Sequence, residues 1–208
     1  MKVIELIELV QYSLLGIPTI DDRSKHEEVI RATVGRAYNQ MIGSLIQKGY
    51  KNLSLFTKLY KNVEVVKDTD LGTYYSLLPV DISFLPDIKS GVRSVSPVND
   101  STSEFMPLNR EKISIIFNAD KNGIDTSIGY LVGINENSEI SIEYFGMNDN
   151  NVINPVKMYL IRPFEDYDDM EDVHIPVGED QALIALTIKI LSGQPQKDLK
   201  NSSSEIKY

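Results

Sequence analysis

The sequence contains no cysteine and no tryptophan, and only two histidines, His26 and His174. Without cysteine there are no disulfides, thiolate metal ligands or cysteine nucleophiles, which suits a protein assembled in a reducing cytosol. Without tryptophan, a carbohydrate site loses its usual stacking platform. The histidines bring no nucleophilic machinery with them, because no G-x-S-x-G elbow is present. His26 lies among Lys25, Glu27 and Glu28, and His174 follows an acidic run; both read as hydrogen-bonded or solvated side chains. P-loop, dinucleotide-binding and HExxH patterns are missing too. No apolar run approaches the roughly 20 residues of a membrane span. Glu5 and Glu8 interrupt the apolar N-terminus and only Lys2 is basic there, so it does not read as a signal peptide. The expectation is a soluble chain with no membrane anchor and no export signal.

Basic residues are in deficit as well: 21 Lys and Arg stand against 30 Asp and Glu, a net charge of −9. Binding nucleic acid through a basic face requires Lys and Arg to displace counterions from the phosphates, and this balance argues against it. An acidic wall can instead let DNA slide past without sticking. The same charge also serves simply to keep a chain in solution.

What is present is an ordinary globular composition. With 208 residues, 42% of them hydrophobic, the chain suits one large domain, or one domain with an extension, and can bury a sizeable core. Val3, Ile7, Val10 and Leu14 lie on one helical stripe, and Gly16 and Pro18 end that helix. Thr19 to Arg23 reads as a turn. Ser24 and Glu27 have capping-box spacing for a second helix, expected from Lys25 to Gln47 and stopping near Gly49. Its apolar stripe is Ile30, Val34, Ala37, Met41 and Leu45, with Glu27 and Arg31 as an i,i+4 pair on the exposed side. Gly35, Asn39 and Gly43 recur at four-residue spacing along one face. Each interior glycine costs about 1 kcal/mol relative to alanine, and the slim face they make is a candidate for close approach of another helix.

From Leu53 the period changes to two. Leu53, Leu55, Thr57 and Leu59 alternate with polar residues, and Val63 and Val65 follow a Lys61-Asn62 turn. Tyr74 to Leu78 is β-rich and stops at Pro79. Further strands are predicted at Lys112 to Phe117, Ile128 to Ile134, Glu139 to Phe145 and Val156 to Ile161, with Asn135-Glu136-Asn137 as a hairpin link. Tyr74, Tyr75, Tyr130, Tyr144 and Tyr159 all fall in these strands, where sheet packing explains them better than base stacking. Asp87 to Pro107, rich in Ser, Pro and Asn, reads as a long loop.

The last quarter combines three features. Six carboxylates lie between Glu165 and Asp172, an apolar segment runs from Gln181 to Leu191, and a polar tail spans Gln194 to Tyr208. Glu179 and Asp180 suit a first helical turn, Ala182 and Ala185 favour helix, and Gly193 suits a C-terminal cap, so the segment is expected to be a helix. Apolar on every side, it must be covered by its own core or by another copy. Leu183, Leu186, Ile190 and Leu191, with Gly35, Asn39 and Gly43, are the candidate interface residues. The acidic run fails as an EF-hand loop: counted from Asp166, Met170 fills position five and Glu171 the glycine position. Around Asn122-Gly123 the glycine comes too early for such a loop, and a hairpin turn fits better. Paired carboxylates for hydrolysis are set by space rather than by sequence.

The fold class expected is α+β. Residues 1–50 form a helical region, 51–192 form a mainly antiparallel β region closing with the short apolar helix and making one unit with the first, and 193–208 form a flexible polar tail. The order of these elements, carried by Tyr74-Tyr75-Ser76-Leu77-Leu78-Pro79-Val80-Asp81-Ile82 and by Val156-Lys157-Met158-Tyr159-Leu160-Ile161-Arg162-Pro163, resembles the head-to-tail connector proteins of tailed bacteriophages, the adaptor or neck-ring subunits. The Asn-, Asp-, Ile- and Lys-rich texture is similar to virion proteins of crAss-like phages. The resemblance spans roughly residues 25 to 192 and lies in element order and texture, without a diagnostic motif. It implies a virion structural subunit forming a homo-oligomeric ring, a dodecamer in the family, around the DNA channel. Its partners would be the portal and neighbouring neck or tail proteins, and DNA would pass without sequence-specific binding. It implies no catalytic residues, no cofactor and no metal. Two readings from other classes stay open: a calcium- or ligand-binding β-rich module, and a carboxylate-based hydrolase.

Overall fold

A computed structural model describes residues 1–15, 20–100, 103–109, 113, 128–135 and 137–193. The architecture is α+β. Helices α1 (Val3–Leu15) and α2 (Ile20–Gln47) come first. The strands are β1 (Thr57–Val63), β2 (Val66–Lys67), β3 (Tyr74–Leu77), β4 (Val92–Pro97), β5 (Met106–Pro107), β6 (Gly129–Ile134), β7 (Ile140–Phe145) and β8 (Val156–Ile161). Helix α3 (Asp180–Leu191) follows. Among the described residues no helix is long and apolar enough to cross a membrane. The chain divides into two compact units, Met1–Met41 with Tyr167–Tyr208, and Ile42–Asp166, so α2 contributes residues to each.

In the first unit α1 buries Val3, Leu6, Ile7 and Val10; of the stripe expected from its spacing, Leu14 is only half-buried, and Leu6 is added. The opening N–H groups of a helix have no partner within it. Here those of Val3 and Ile4 donate to the carbonyls of Glu171 and Asp169, each at 3.0 Å, and Lys2 bridges to Asp172. The acidic segment thus caps α1 through its backbone. Helix α3, expected at the end of the β region, packs on α1. It buries Leu183 and Thr187, and Gly193 ends it in the left-handed conformation (φ 64°) expected of a C-terminal cap.

Helix α2 starts at Ile20. The Thr19 to Arg23 turn and the Ser24 cap are therefore corrected, since from Ile20 onward these residues are helical. The Ser-x-x-Glu spacing of a capping box is also an i,i+3 spacing, which any helix interior can contain. In this unit α2 buries Ile30, Val34, Ala37 and Tyr38. The expected Glu27–Arg31 pair is replaced: the Arg31 guanidinium meets the Asp169 carboxylate and donates to the Tyr167 carbonyl at 2.9 Å. The Tyr38 ring stands edge-on to Tyr167, with centroids 6.1 Å apart.

The second unit contains two sheets. β1, β8 and β4 form an antiparallel three-stranded sheet in the order β1-β8-β4, and the other sheet has the order β2-β3-β7-β6-β5. Its pairs are antiparallel except β5 with β6. β8, the central strand, buries Val156, Met158 and Leu160 on one face and Ile161 at its end, while Lys157 and Tyr159 on the other face are less covered.

Three expectations for this unit are corrected. Leu53 does not begin a strand, because Leu53–Phe56 is a 3₁₀ turn. Three residues per turn place Leu53 and Phe56 on one side, and both are buried while Leu55 is exposed. Lys61-Asn62 is not a turn between strands but an irregularity inside β1. Asn62 has φ 58° and the register with β8 slips between Tyr60 and Val63, as a bulge requires. Asp87 to Pro107 is not a long loop. It holds a 3₁₀ turn at Ile88–Gly91, β4 and β5, because Val92 and Val95 are buried and β4 pairs with β8. The strands expected at Ile128 to Ile134, Glu139 to Phe145 and Val156 to Ile161 are present as β6, β7 and β8. Of the strand expected at Lys112 to Phe117 only Ile113 is described, and it is helical; the rest of that segment, Asn122-Gly123 and the Gln194 to Tyr208 tail lie outside the described residues.

Candidate interaction surface

The five-stranded sheet has two unlike faces, set by the alternation of side chains along each strand. Register places Tyr74, Tyr144 and Tyr130 in one row and Ser76, Ile142 and Val132 in the next, all buried. Phe105 stands edge-on to Tyr144 at 5.8 Å. The Tyr144 hydroxyl donates to Ser76 Oγ at 3.1 Å, and Ser76 donates to the Glu64 carbonyl at 2.7 Å. Burial pushes the Tyr144 and Tyr130 hydroxyls well above the usual tyrosine range. This is a packed face with its polar atoms satisfied.

The opposite face is open. One row carries Tyr75, Glu143 and Leu131, and the next carries Leu77, Ser141 and Gly133. The turn between β2 and β3 rises beside it. The Asp68 carboxylate accepts from the N–H groups of Asp70 and Leu71, at 2.9 and 3.0 Å, and Gly72 sits at φ 68°. That turn leaves Leu71 73% exposed, and at the other end Ile134 is 61% exposed. Asn135, through its backbone N–H, closes the β6–β7 link on the Glu139 carbonyl at 2.9 Å.

These residues line a concavity of about 380 Å³ with Asp68 and Glu143 among its walls. An adjoining one of about 390 Å³ shares Ile134 and adds Leu77, Leu78, Val80 and Ile140. Together they bring Leu71, Tyr75, Leu77, Leu131 and Ile134 into one mixed apolar and polar region at the open face and the end of the sheet. Burial, and then the negative charge of Asp68, push the Glu143 carboxyl above its usual range. Neither cause is offset by a cation at this half-buried carboxylate.

The residues singled out from the sequence lie elsewhere. Gly35 and Asn39 are buried on α2 in the first unit. Gly43 is in the second unit, where a Cβ added to it would stand 3.4 Å from Pro86 Cδ and 3.8 Å from the Phe84 carbonyl oxygen. The close approach this slim face allows is thus made at Gly43 by a loop of the same unit. On α3, Leu183 is buried, while Leu186, Ile190 and Leu191 are half-buried. The open sheet face had a sequence signal that alternation alone does not reveal. Tyr74-Tyr75 and Tyr130-Leu131-Val132 are consecutive apolar residues, a pattern of strands covered on both sides.

The acidic run is not a simple solvated face. In the second unit, one Asp166 oxygen accepts from Lys58 Nζ at 2.8 Å, the Tyr60 hydroxyl at 2.9 Å and Arg162 Nε at 2.8 Å. In the first unit, Asp169 holds Arg31, and the Glu171 carboxylate accepts from the Asp168 N–H at 2.9 Å. The His174 carbonyl accepts from the Tyr38 hydroxyl at 3.3 Å. Among the described residues no group of three or more His, Asp or Glu is arranged to hold a metal ion. The sequence matches no protein-family model and no curated protein.

Proposed function

We propose that the chain is a structural subunit of a phage virion, assembling as an oligomeric ring in the portal-neck-tail connector around the DNA channel. The observation that supports assembly is the set of exposed apolar side chains in and around the open face of the five-stranded sheet: Leu77 on that face, Leu71 on the β2–β3 turn beside it and Ile134 at the end of β6. Exposed apolar side chains grouped in this way mark a protein-contact site more often than they persist in solvent. The ring and its place in a virion rest on the resemblance in element order. In this reading the subunit works by geometry, stacking between the portal and neighbouring tail proteins, and its net charge of −9 keeps passing DNA from adhering.

The test is light scattering with negative-stain imaging of the purified chain, alone and with a portal protein. Cyclic oligomers are expected. Ile134→Asp combined with Leu77→Asp should abolish them while leaving the circular dichroism spectrum unchanged. A chain that stays monomeric at high concentration in both settings overturns the reading.

A further inference from the structure

We infer that the concavity holding Asp68 and Glu143 receives the Lys48–Lys51 turn of a second copy of this chain. The inference rests on the assembly reading above and names the contact that would make it. The chemistry of the concavity is specific. Among the described lining residues Leu71, Tyr75, Leu131 and Ile134 offer apolar surface, Asp68 and Glu143 are the two carboxylates, the rest are small or neutral polar, and none is lysine, arginine or histidine. Glu143 pairs in register with Tyr75 on one side and Leu131 on the other, so its charge sits between apolar neighbours. Apolar walls around an anionic centre fit a side chain with a methylene stem and a cationic head.

The chain itself presents such side chains. Arg31, Lys58, Lys67 and Arg162 are committed to carboxylates of their own units. Lys48 and Lys51 are exposed on the turn that follows α2. Gly49, in the left-handed conformation at φ 73°, turns the chain between them. Two cations on one turn match two carboxylates in one concavity. The donor and acceptor surfaces are different patches of the same chain, so the contact is heterologous, the kind that closes into a ring when the rotation allows.

The experiment is a charge exchange on the full chain, read by light scattering at a concentration where the wild type assembles. Asp68→Lys with Glu143→Lys should dissociate the assembly, and so should Lys48→Glu with Lys51→Glu. The four substitutions together should restore it. Lys89→Glu with Arg93→Glu, reversing another exposed basic pair, should leave assembly as in the wild type. If either reversed pair fails to fold by circular dichroism, Asp68→Asn with Glu143→Gln serves instead, with association weakened at least about tenfold. Assembly indifferent to these changes, unrestored by the exchange, or lost in the Lys89/Arg93 variant overturns the contact but leaves the ring standing. A wild-type chain that never associates overturns both.

Discussion

Arg162 and Asp166, one helical turn apart in sequence, meet at 2.8 Å through Nε and a carboxylate oxygen. Lys58 and the Tyr60 hydroxyl reach the same oxygen from β1, and the Arg162 guanidinium also donates to the Asp166 carbonyl. The last residue of the second unit is thereby fastened to β1 and to the end of β8.

The first prediction concerns that fastening. Burial alone would lift the Asp166 carboxyl, but the hydrogen bonds from Lys58, Tyr60 and Arg162 outweigh it and hold the group below the usual carboxylate range. A carboxyl depressed in the folded state contributes stability above its unfolded value of about 3.9, and loses it as pH falls through the folded value. Asp166→Asn should cost about 1–3 kcal/mol at pH 7. The gap to wild type should narrow below about pH 4. Urea unfolding across pH reads both effects, and equal midpoints at pH 7 would refute the role assigned to this carboxylate.

Central and terminal elements were the most legible in the sequence. Val156, Met158 and Leu160 alternate with Lys157 and Tyr159 between Pro155 and Pro163, and a strand with one buried face looks like that without reference to anything else. Helix α3 was legible because alanines and a following glycine give it a start-to-stop grammar. β4 was not, because its Ser and Pro residues read as loop until Val92 and Val95 find β8. The acidic run misled for a related reason. Asp169 meets Arg31 across 138 residues of chain, and Asp166 meets Lys58 across 108, so the partners that give these carboxylates their roles are invisible to local patterns. The open sheet face fell between the two cases. Its apolar doublets were visible, but register was needed to show that Tyr75 and Leu131 flank Glu143.

A second prediction separates two ways of covering α3. Leu183 is 1% exposed and Thr187 is fully buried, with its hydroxyl donating to the Leu183 carbonyl at 2.8 Å. Leu183→Ala should destabilise the isolated subunit by about 2–5 kcal/mol. Leu191→Ala, at a half-buried position, should cost distinctly less. Urea midpoints taken below the concentration of assembly measure this. An unchanged midpoint for Leu183→Ala would mean that α3 draws its cover from a neighbouring copy.

Gly91 supports a third. A Cβ there would stand 2.6 Å from Leu85 Cδ1 and 2.7 Å from Ile82 Cδ1, and both neighbours are buried in the core. Gly91→Ala should therefore overpack the site and cost about 1–3 kcal/mol. At Gly133 the added Cβ has nothing within 4 Å, so Gly133→Ala should change stability by less than about 0.5 kcal/mol. Paired thermal melts of the two variants give the contrast, and equal losses would remove the steric explanation.

The fourth prediction turns on Glu143, whose carboxyl is raised in the folded subunit by burial and then by Asp68. A raised carboxyl favours folding below its unfolded value of about 4.3, and that contribution is lost as pH rises through the folded value. Glutamine keeps the neutral state at every pH. In the assembly-blocked Ile134→Asp, Leu77→Asp background, Glu143→Gln should raise the melting temperature at pH 7, and the gain should fade on acidification to pH 4. In the otherwise unaltered chain, Asp68→Asn with Glu143→Gln should weaken self-association. A residue that destabilises its own subunit while strengthening contact between subunits is what an interface carboxylate awaiting a cation would be. A lower melting temperature for the blocked Gln variant at pH 7 would instead mean that Glu143 has a stabilising partner within its own subunit, and the case for a cation from a second copy would fall with it.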